Sequence, residues 1–454
     1  MNKQIVQGSG TSAPIAETAK LQPETLALHA GWRRDPATKA VAVPIYLSTA
    51  FELTGDLDHI AQIYNAKADG FTYSRIINPT NRVLEKRFAS LDGGSDSLAV
   101  ASGQAATFVA VANLIGPHPG GNVVVSSHLY GNSWNLLHNT FKRLGLEARI
   151  ADARDAASFE AQIDANTICL FSEVLSNPVL VPCEIRGIAA VGQRHGIPLV
   201  VDNTTTPLVC RPGLHGAAIA TYSATKYICG HGTSLGGLIV DLDQFDWTAA
   251  AGRFPLMNGP DDAHGNIHWT SATDELQDLG DSALLLKARM TVLRDTGGCL
   301  SPQNAFQLIQ GIETLPLRME RHCSNAQTVA EVLNKHPNVR SVRYPSLFEG
   351  REREIVQDIF DPHFGHGAMI VFDVGDAARG RRLVEAVELC YHVSNVGDAR
   401  TLITHPVSTT HTTVPRDTRI KAGIHDGSIR LCVGIEHIDD ILRDLLRALD
   451  RLEL

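Results

Sequence analysis

Between residues 95 and 240, short apolar segments alternate with segments of helical periodicity. Several of the apolar segments are hydrophobic throughout and end in polar residues, as in Ile197–Thr204. Strands that are buried on both faces show this pattern, and they form mostly parallel sheets with helices on either side. Functional residues of such sheets lie beyond the carboxyl ends of the strands. The alternation therefore predicts an α/β fold with a site along that edge.

The chain has 454 residues, which exceeds what one ordinary hydrophobic core holds, so we expect two or more domains. We assign residues 1–65 to a tail and an arm, 66–300 to a large domain, and 301–454 to a smaller α+β domain. Residues 1–20 are small and polar, which indicates a flexible tail. The arm has too little apolar material for its own core, as is common in arms that embrace a second subunit. We interpret the loop-rich segment 241–290 as an insertion near the mouth of the site.

Composition and charge exclude several classes of protein. The net charge is -9 and there is no basic block, so no nucleic-acid partner is expected. No apolar run approaches the roughly 20 residues of a membrane span, and the first 20 residues lack an apolar signal core. None of the eight cysteines forms a C-x-x-C pair, so we expect neither a metal site nor a redox motif. Reduced cysteines of this kind are typical of a cytoplasmic protein.

Two strand ends carry candidate catalytic residues. An apolar run leads into Ser-Ala-Thr-Lys at 223–226, and Lys226 would make a nucleophile for a carbonyl cofactor if burial kept its amine neutral. Ser223 and Thr225 flank it and could bind a phosphate. Asp202 ends another apolar strand, where a protonated pyridine nitrogen would be a suitable partner. A surface position for Lys226 and a capping role for Asp202 are the alternatives.

Four further positions suit an anionic or aromatic ligand. A strand runs into a tight turn and a helix start at Gly103, where helix N–H groups bind anions. Arg75 lies in an irregular loop and could bind phosphate through two N–H groups. Tyr130 follows a strand and could lie over a flat ring. Arg430 interrupts an apolar run and could pair with a substrate carboxylate. The alternatives are an exposed surface position for Arg75, a core position for Tyr130 and a structural ion pair for Arg430.

Together the motifs resemble those of the Cys/Met-metabolism family of pyridoxal 5′-phosphate (PLP) enzymes. The resemblance extends from Glu24 to Leu449 and implies the aspartate aminotransferase-like fold, known as fold type I. The matching motifs, in the family's order, are Tyr-Ser-Arg-x-x-Asn-Pro-Thr at 73–80, Ser-Gly-Gln-Ala-Ala at 102–106, Tyr-Gly at 130–131, Glu-x-x-x-Asn-Pro at 173–178, Val-Asp-Asn-Thr at 201–204 and Ser-Ala-Thr-Lys-Tyr at 223–227. Within the family, Asn-Val-Gly-Asp at 395–398, Gly-Cys-Leu-Ser-Pro at 298–302 and the 241–290 insertion are similar to the O-acetylhomoserine sulfhydrylases.

The resemblance implies a role for each candidate. Lys226 would form the Schiff base with PLP and move protons, with Tyr130 and Asp202 as further catalytic residues on the ring face and the ring nitrogen. Asn177 would reach the 3-hydroxyl of the ring. The residues implied at the phosphate are Gly103, Gln104, Ser223 and Thr225, together with Tyr73 and Arg75 acting in the neighbouring subunit. Arg430 and Asn395, with Tyr73, would bind the amino-acid substrate.

The implied reaction is γ-replacement on an O-acylated homoserine, expected to be O-acetyl-L-homoserine, by sulfide or a small thiol. It would give homocysteine and acetate in methionine biosynthesis, in a cytoplasmic homotetramer built as a dimer of dimers. Three alternatives remain open: an elimination lyase, γ-replacement with a non-sulfur nucleophile, and a non-catalytic binding protein. Two departures from the family pattern bear on the nucleophile: a short Thr204–Pro207 turn without an aromatic residue, and Asn132 in place of glycine.

Overall fold

The computed structural model describes residues 21–116, 120–272, 276, 279–280 and 282–453, and the expected flexible tail at 1–20 lies outside them. Within the described residues the strands form two sheets. The strands of the first sheet are β1 (Asp96–Val100), β2 (Asn122–Ser126), β3 (Glu147–Ala151), β4 (Thr167–Glu173), β5 (Leu199–Asp202), β6 (Ile219–Ser223) and β7 (Gly237–Asp241). Those of the second sheet are β8 (Ser341–Arg343), β9 (Met369–Asp373), β10 (Tyr391–His392), β11 (Leu402–Thr404) and β12 (Ser428–Cys432).

The helices occupy most of the connections between these strands. Before residue 300 they are α1 (Pro23–His29), α2 (Leu57–Tyr64), α3 (Pro79–Asp92), α4 (Gly103–Ala112), α5 (Gly131–Asn135), α6 (Phe141–Arg143), α7 (Ala156–Glu160), α8 (Ile185–His195), α9 (Pro255–Asn258), α10 (Ala283–Ala288) and α11 (Arg294–Thr296). After it they are α12 (Pro302–Glu313), α13 (Leu315–Leu333), α14 (Gly350–Ile359), α15 (Ala377–Ala386), α16 (Arg416–Lys421) and α17 (Ile438–Asp450). Single π-helical turns join α5 to α6 and α10 to α11.

The first sheet has the order β1-β7-β6-β5-β4-β2-β3. Five neighbouring strands of this sheet are parallel to one another, namely β6, β5, β4, β2 and β3. Strand β7 is antiparallel to both of its neighbours. The prediction of an α/β fold with a mostly parallel sheet is therefore confirmed. The second sheet has the order β10-β11-β12-β9-β8 and is largely antiparallel.

Alternate residues of the first sheet belong to different hydrophobic clusters. In β4, Leu170 packs into one cluster, whereas Cys169 and Phe171 pack into the other. Side chains of a strand point to opposite faces in turn, so both faces of this sheet are covered. This double burial explains why the strands lack polar alternation. The cluster that holds Leu170 continues into the second sheet through Leu431, and the two sheets share one core.

The position of Thr80 directly after Asn78-Pro79 predicts that its hydroxyl caps helix α3, but the structure has a different cap. The side chain of Asn78 is the cap, because its Oδ1 accepts the N–H of Thr80 at 2.9 Å. The Thr80 hydroxyl donates instead to the carbonyl of Pro44 at 2.8 Å. Thr80 therefore ties the arm to the helix, and the preceding Asn-Pro supplies the cap and the first helical residue.

Part of the 241–290 segment lies at the edge of the sheet opposite to the one expected. Arg253 donates to the carbonyl of Thr167, the first residue of β4, at 2.7 Å. Ser282 donates to a carboxylate oxygen of Asp241, the last residue of the antiparallel β7. Both contacts are at the amino ends of the parallel strands. The expectation that this segment lies near the mouth of the site is therefore wrong for these residues.

The arm exposes large apolar side chains. Val41 is 79% exposed and Leu57 is 82% exposed, and Tyr73, which follows the arm, is 44% exposed. Single exposed apolar residues are common, whereas here several of them follow one another along one segment of the chain. Among the helices in the described part of the chain, none combines the length and apolar character needed to cross a membrane.

Candidate active site

The carboxyl ends of three neighbouring strands form the floor of the site. Glu173 ends β4, Asp202 ends β5 and Ser223 ends β6. Glu173 pairs with Asp202 in the strand register, and Asp202 pairs with Thr221. The Thr204 hydroxyl accepts the N–H of Ser223 at 2.8 Å and ties two of these ends together. The parallel sheet thus brings together polar side chains that are far apart in the sequence.

Lys226 lies on the turn that follows β6. Its Nζ donates a hydrogen bond of 2.6 Å to Oδ1 of Asn395, which comes from the segment before β11. Burial lowers the pKa of the Lys226 amine below its usual range, and the positive charge of Arg430 lowers it further. More of the amine is therefore neutral, and hence nucleophilic, than in a lysine exposed to solvent.

Asp202 and Glu173 are two carboxyl groups at adjacent strand ends. Burial raises the pKa of Asp202, although hydrogen bonds from Thr204, one of them 2.9 Å long, oppose this effect. Burial and the neighbouring charge of Asp202 raise the pKa of Glu173 well above its usual range. No cation in the described part of the chain forms an ion pair with Asp202. A bound group with a positive nitrogen would supply that missing partner.

The start of α4 forms a close-fitting cradle beside Ser223. A Cβ atom on Gly103 would lie 2.5 Å from Cβ of Ser223, so only glycine fits there. The first N–H groups of a ten-residue helix have no partner within the helix and attract anions. The Gln104 side chain donates to Ser133 at 3.3 Å, while Thr225 exchanges hydrogen bonds of 3.1 and 3.3 Å with Gly236. These residues fit the phosphate of PLP through helix N–H groups and two hydroxyls.

Tyr130 lies at the open side of the site. Tyr130 is 42% exposed, and its aromatic ring would suit a flat ligand. Its backbone N–H donates to Oε1 of Glu173 at 2.5 Å, and its hydroxyl accepts a hydrogen bond of 3.1 Å from Asn132. Partial burial raises the pKa of Tyr130, and the charge of Arg430 opposes this rise.

Arg430 connects the two sheets from β12. Its guanidinium donates to Oδ1 of Asn177 at 3.2 Å and to the carbonyl oxygen of Asn395 at 3.0 Å. A weaker contact of 3.4 Å reaches the Thr404 hydroxyl. Arg430 is 7% exposed, and its Nε has no hydrogen-bond partner among the described residues. A buried guanidinium with an unused N–H fits a substrate carboxylate.

Tyr73 and Arg75 do not join this cluster within one chain. The Arg75 guanidinium lies 5.5 Å from the centre of the Tyr73 ring and donates to the carbonyl of Arg294. Both residues are exposed. The other predicted site residues gather at the carboxyl edge of the first sheet, whereas this pair lies on the surface, in the segment that follows the arm.

Two residues that the sequence did not mark as functional support the site. Glu173 belongs to a quoted motif, and its position at the end of an apolar strand was the available signal. Arg318 on α13 donates to the carbonyls of Tyr227 at 2.7 Å and Ile228 at 3.3 Å, and so holds the turn after Lys226. An arginine on an amphipathic helix looks like a solvent-facing residue, so no sequence signal distinguished it.

Comparisons with known proteins agree over almost the whole chain. The family model described as Cys/Met metabolism PLP-dependent enzyme matches residues 24–450. The O-acetyl-L-homoserine sulfhydrylase of Leptospira meyeri is 40% identical over 98% of this chain and 99% of its own. The homocysteine synthase of Schizosaccharomyces pombe is 41% identical over 94% of this chain and 98% of its own.

Two solved structures are similar in fold. A putative O-acetylhomoserine (thiol)-lyase from Campylobacter jejuni, solved with N'-pyridoxyl-lysine-5'-monophosphate, has a TM-score of 0.88 and 36% identity, over 95% of this chain and 100% of that one. A cystathionine gamma-lyase from Lactobacillus plantarum, solved with L-serine, has a TM-score of 0.79 and 29% identity, with the same coverage.

Proposed function

The chain belongs to the Cys/Met metabolism family of PLP-dependent enzymes, and we propose that it replaces the acetoxy group of O-acetyl-L-homoserine by sulfide. The Cγ–O bond of the substrate breaks, acetate leaves, and a Cγ–S bond forms to give homocysteine. The observation that carries this proposal is the contact of Asn395 with both Lys226 and Arg430. This contact supports a site in which Lys226 transfers a proton close to a carboxylate bound by Arg430.

In this proposal Lys226 binds the cofactor and then moves the proton at Cα of the substrate. The lowered pKa of its amine favours the neutral form that accepts a proton. When bound, PLP supplies an electron sink for the negative charge that develops at Cα. Asp202 would lie opposite the ring nitrogen and would stay ionised there, because a cation would compensate for its burial. Tyr130 would cover the ring face, and its hydroxyl, which accepts a hydrogen bond from Asn132, would serve as a proton donor or acceptor near the leaving group.

The remaining residues bind and orient. Arg430 would take the substrate α-carboxylate, while Asn177 and Asn395 hold the guanidinium in place. Both asparagines act on the same guanidinium, so the carboxylate and the Cα proton keep a fixed relation to Lys226. Asn177 would also reach the 3-hydroxyl of the ring. The N–H groups of Gly103 and Gln104, with the Ser223 and Thr225 hydroxyls, would hold the phosphate.

We also propose a homo-oligomer in the cytoplasm, with a dimer as the smallest active unit and a tetramer as the full assembly. Exposed apolar side chains on the arm, such as Val41 and Leu57, support a second copy as the partner. Tyr73 and Arg75 lie outside the site of their own chain and would complete the phosphate site of the neighbouring copy, with Tyr73 close to its substrate.

The test is a reaction series with purified protein and PLP. O-Acetyl-L-homoserine is supplied with and without sulfide, and the products are identified by mass spectrometry. Homocysteine that appears only with sulfide supports the proposal. A 2-oxo acid and ammonia in place of a new amino acid would identify an elimination lyase. O-Succinyl- and O-phospho-homoserine, tested in parallel, identify the leaving group that the site accepts.

A further inference from the structure

Glu173 is a buried carboxylate whose two oxygens bind two different loops. Its Oε1 accepts the backbone N–H of Tyr130 at 2.5 Å, and its Oε2 accepts the backbone N–H of Asn177 at 3.1 Å. Glu173 is 5% exposed. A buried carboxylate is stable only when it is hydrogen bonded, and a charged acceptor forms the stronger kind of hydrogen bond with an N–H group. These two bonds therefore fix the start of both loops firmly.

The two loops carry the side chains that are expected to contact the PLP ring. Tyr130 would lie on the ring face and Asn177 at the ring edge. The strand register also places Glu173 directly beside Asp202, the expected partner of the ring nitrogen. Glu173 thus binds two residues, Tyr130 and Asn177, and lies beside a third, Asp202, and all three are expected to contact the ring.

We propose that Glu173 is a positioning residue that holds Tyr130 and Asn177 against the PLP ring. Its carboxylate does not reach the ring itself and acts through the backbone of these two residues. Its carboxyl group also lies beside Asp202 in the strand register, so replacement of Glu173 changes the electrostatic surroundings of Asp202. The inference rests on the cofactor part of the proposed function and is independent of the identity of the nucleophile.

The direct test is Glu173→Gln, which keeps the size but leaves one carbonyl oxygen and places an NH₂ group against a backbone N–H. One of the two loops must then move. We expect PLP to bind roughly 10- to 100-fold more weakly, the loss expected for a hydrogen bond to a charged acceptor. The pH dependence of the absorbance of bound PLP should shift at the same time, because a titratable carboxyl group beside Asp202 is gone.

Asp444→Asn is the matched control. The Asp444 carboxylate likewise accepts backbone N–H groups, those of Glu388 and Leu389 at 2.8 Å and of Cys390 at 3.1 Å, away from the predicted site residues. It should lower the unfolding temperature without changing the affinity for PLP or the absorbance titration. Glu173→Gln with wild-type affinity and titration but a lowered unfolding temperature would show a merely structural role and overturn the proposal.

Glu173→Asp provides a second variant in case the glutamine variant does not fold. It keeps the charge but is one methylene shorter, so it cannot hold both N–H groups at their present distances. We expect weaker PLP binding and faster deuterium exchange of the amides at 130 and 177, and unchanged values of both would contradict the proposal. Wild-type protein that binds PLP without making homocysteine would refute the proposed reaction only. The comparison of PLP binding between the wild type and the Glu173 variants would still test the positioning role.

Discussion

The side-chain amine of Lys226 and the side-chain oxygen of Asn395 are joined by a hydrogen bond of 2.6 Å across 169 positions of sequence. Lys226 follows strand β6 of the first sheet, and Asn395 precedes strand β11 of the second. The carbonyl of the same asparagine accepts a hydrogen bond from Arg430. Relative movement of the two sheets would therefore separate Lys226 from Arg430, for which we propose a role in carboxylate binding, and the contact couples the two halves of the candidate site.

Asn395→Asp tests this coupling through the charge of the lysine. A carboxylate at this position would stabilise the ammonium form and raise the pKa of Lys226, which burial and Arg430 now lower. The neutral amine would then appear only at higher pH. We expect the rate of PLP uptake by the apoprotein, followed by absorbance between pH 6 and 10, to rise at a higher pH than in the wild type. Asn395→Leu is the control, because it removes the hydrogen bond without adding a charge. Identical curves of uptake rate against pH for Asn395→Asp and the wild type would contradict the coupling.

Lys226→Ala should reduce turnover by more than about 1,000-fold, because both the covalent attachment and the proton-transfer group are lost. The phosphate and ring contacts remain, so PLP should still bind, but reversibly. Activity and retention of PLP after gel filtration measure both effects.

Lys287→Ala is a useful comparison. Lys287 is also buried, with a pKa lowered to about 8 by burial, but it donates to the carbonyl of Asn113 at 2.7 Å in the packing of α10. This variant should lose stability and keep its activity per folded molecule. Borohydride reduction followed by peptide mapping should label the Lys226 peptide in the wild type and in Lys287→Ala.

Arg430→Lys should raise KM for O-acetyl-L-homoserine by roughly 100-fold, with a smaller change in kcat. A single ammonium group cannot bind Asn177 and Asn395 and also present a flat donor pair to a carboxylate. Arg400→Lys is the matched control from the same region, because Arg400 is exposed and pairs with Asp398 at 2.9 Å. Its KM should stay within about twofold. An equal KM in both variants would remove Arg430 from the carboxylate site.

The sequence identified the family, the fold class and the cofactor, and the comparisons confirm all three. Strand ends made Lys226 and Asp202 visible, because an apolar run that stops at a charged residue is a local pattern. The structure brings both to one edge, while their catalytic roles remain predictions. The antiparallel β7 and the edge strand β3 were not foreseen individually, because the direction and order of strands depend on distant partners.

Contacts to the main chain were the least predictable part of the site. Glu173 acts on backbone N–H groups and Arg318 on backbone carbonyls, which every residue carries, so no side-chain pattern reveals the partner. Thr80 shows the same limit, because its distant contact with Pro44 competes with the local capping role that its sequence position suggested. Tyr73 and Arg75 depend on a second chain and therefore remain predictions.

A buried ion network should dominate the stability of the region around α3. Arg289 pairs with Glu85 at 2.7 Å, Glu85 also pairs with Arg82, and each side chain is at most 2% exposed. Arg289→Met would leave buried negative charge with one cation fewer, and this should lower the free energy of unfolding by about 3–5 kcal/mol. Arg443→Met is the comparison, because Arg443 forms an exposed pair with Asp440 and should change the stability by less than about 0.5 kcal/mol. Similar unfolding midpoints in guanidinium chloride for the two variants would show that the buried network contributes little.

Asp92 should make the stability depend on pH near neutrality. Its buried carboxyl group accepts a hydrogen bond of 2.7 Å from the Tyr222 hydroxyl, and burial raises the pKa of Asp92 from 3.8 to about 7. The folded state therefore favours the protonated form. The associated stability is fully present below the unfolded pKa and is lost as pH rises through about 7. Asp92→Asn mimics the neutral acid and should unfold at a higher urea concentration than the wild type at pH 8, with the difference vanishing towards pH 4.

Asp444→Asn is the control for this pH dependence. Hydrogen bonds lower the pKa of Asp444 despite its burial, so the wild-type carboxylate is ionised throughout this range. The loss of stability in Asp444→Asn should therefore be constant from pH 5 to 8. A constant difference for Asp92→Asn over the same range would show that Asp92 does not titrate there.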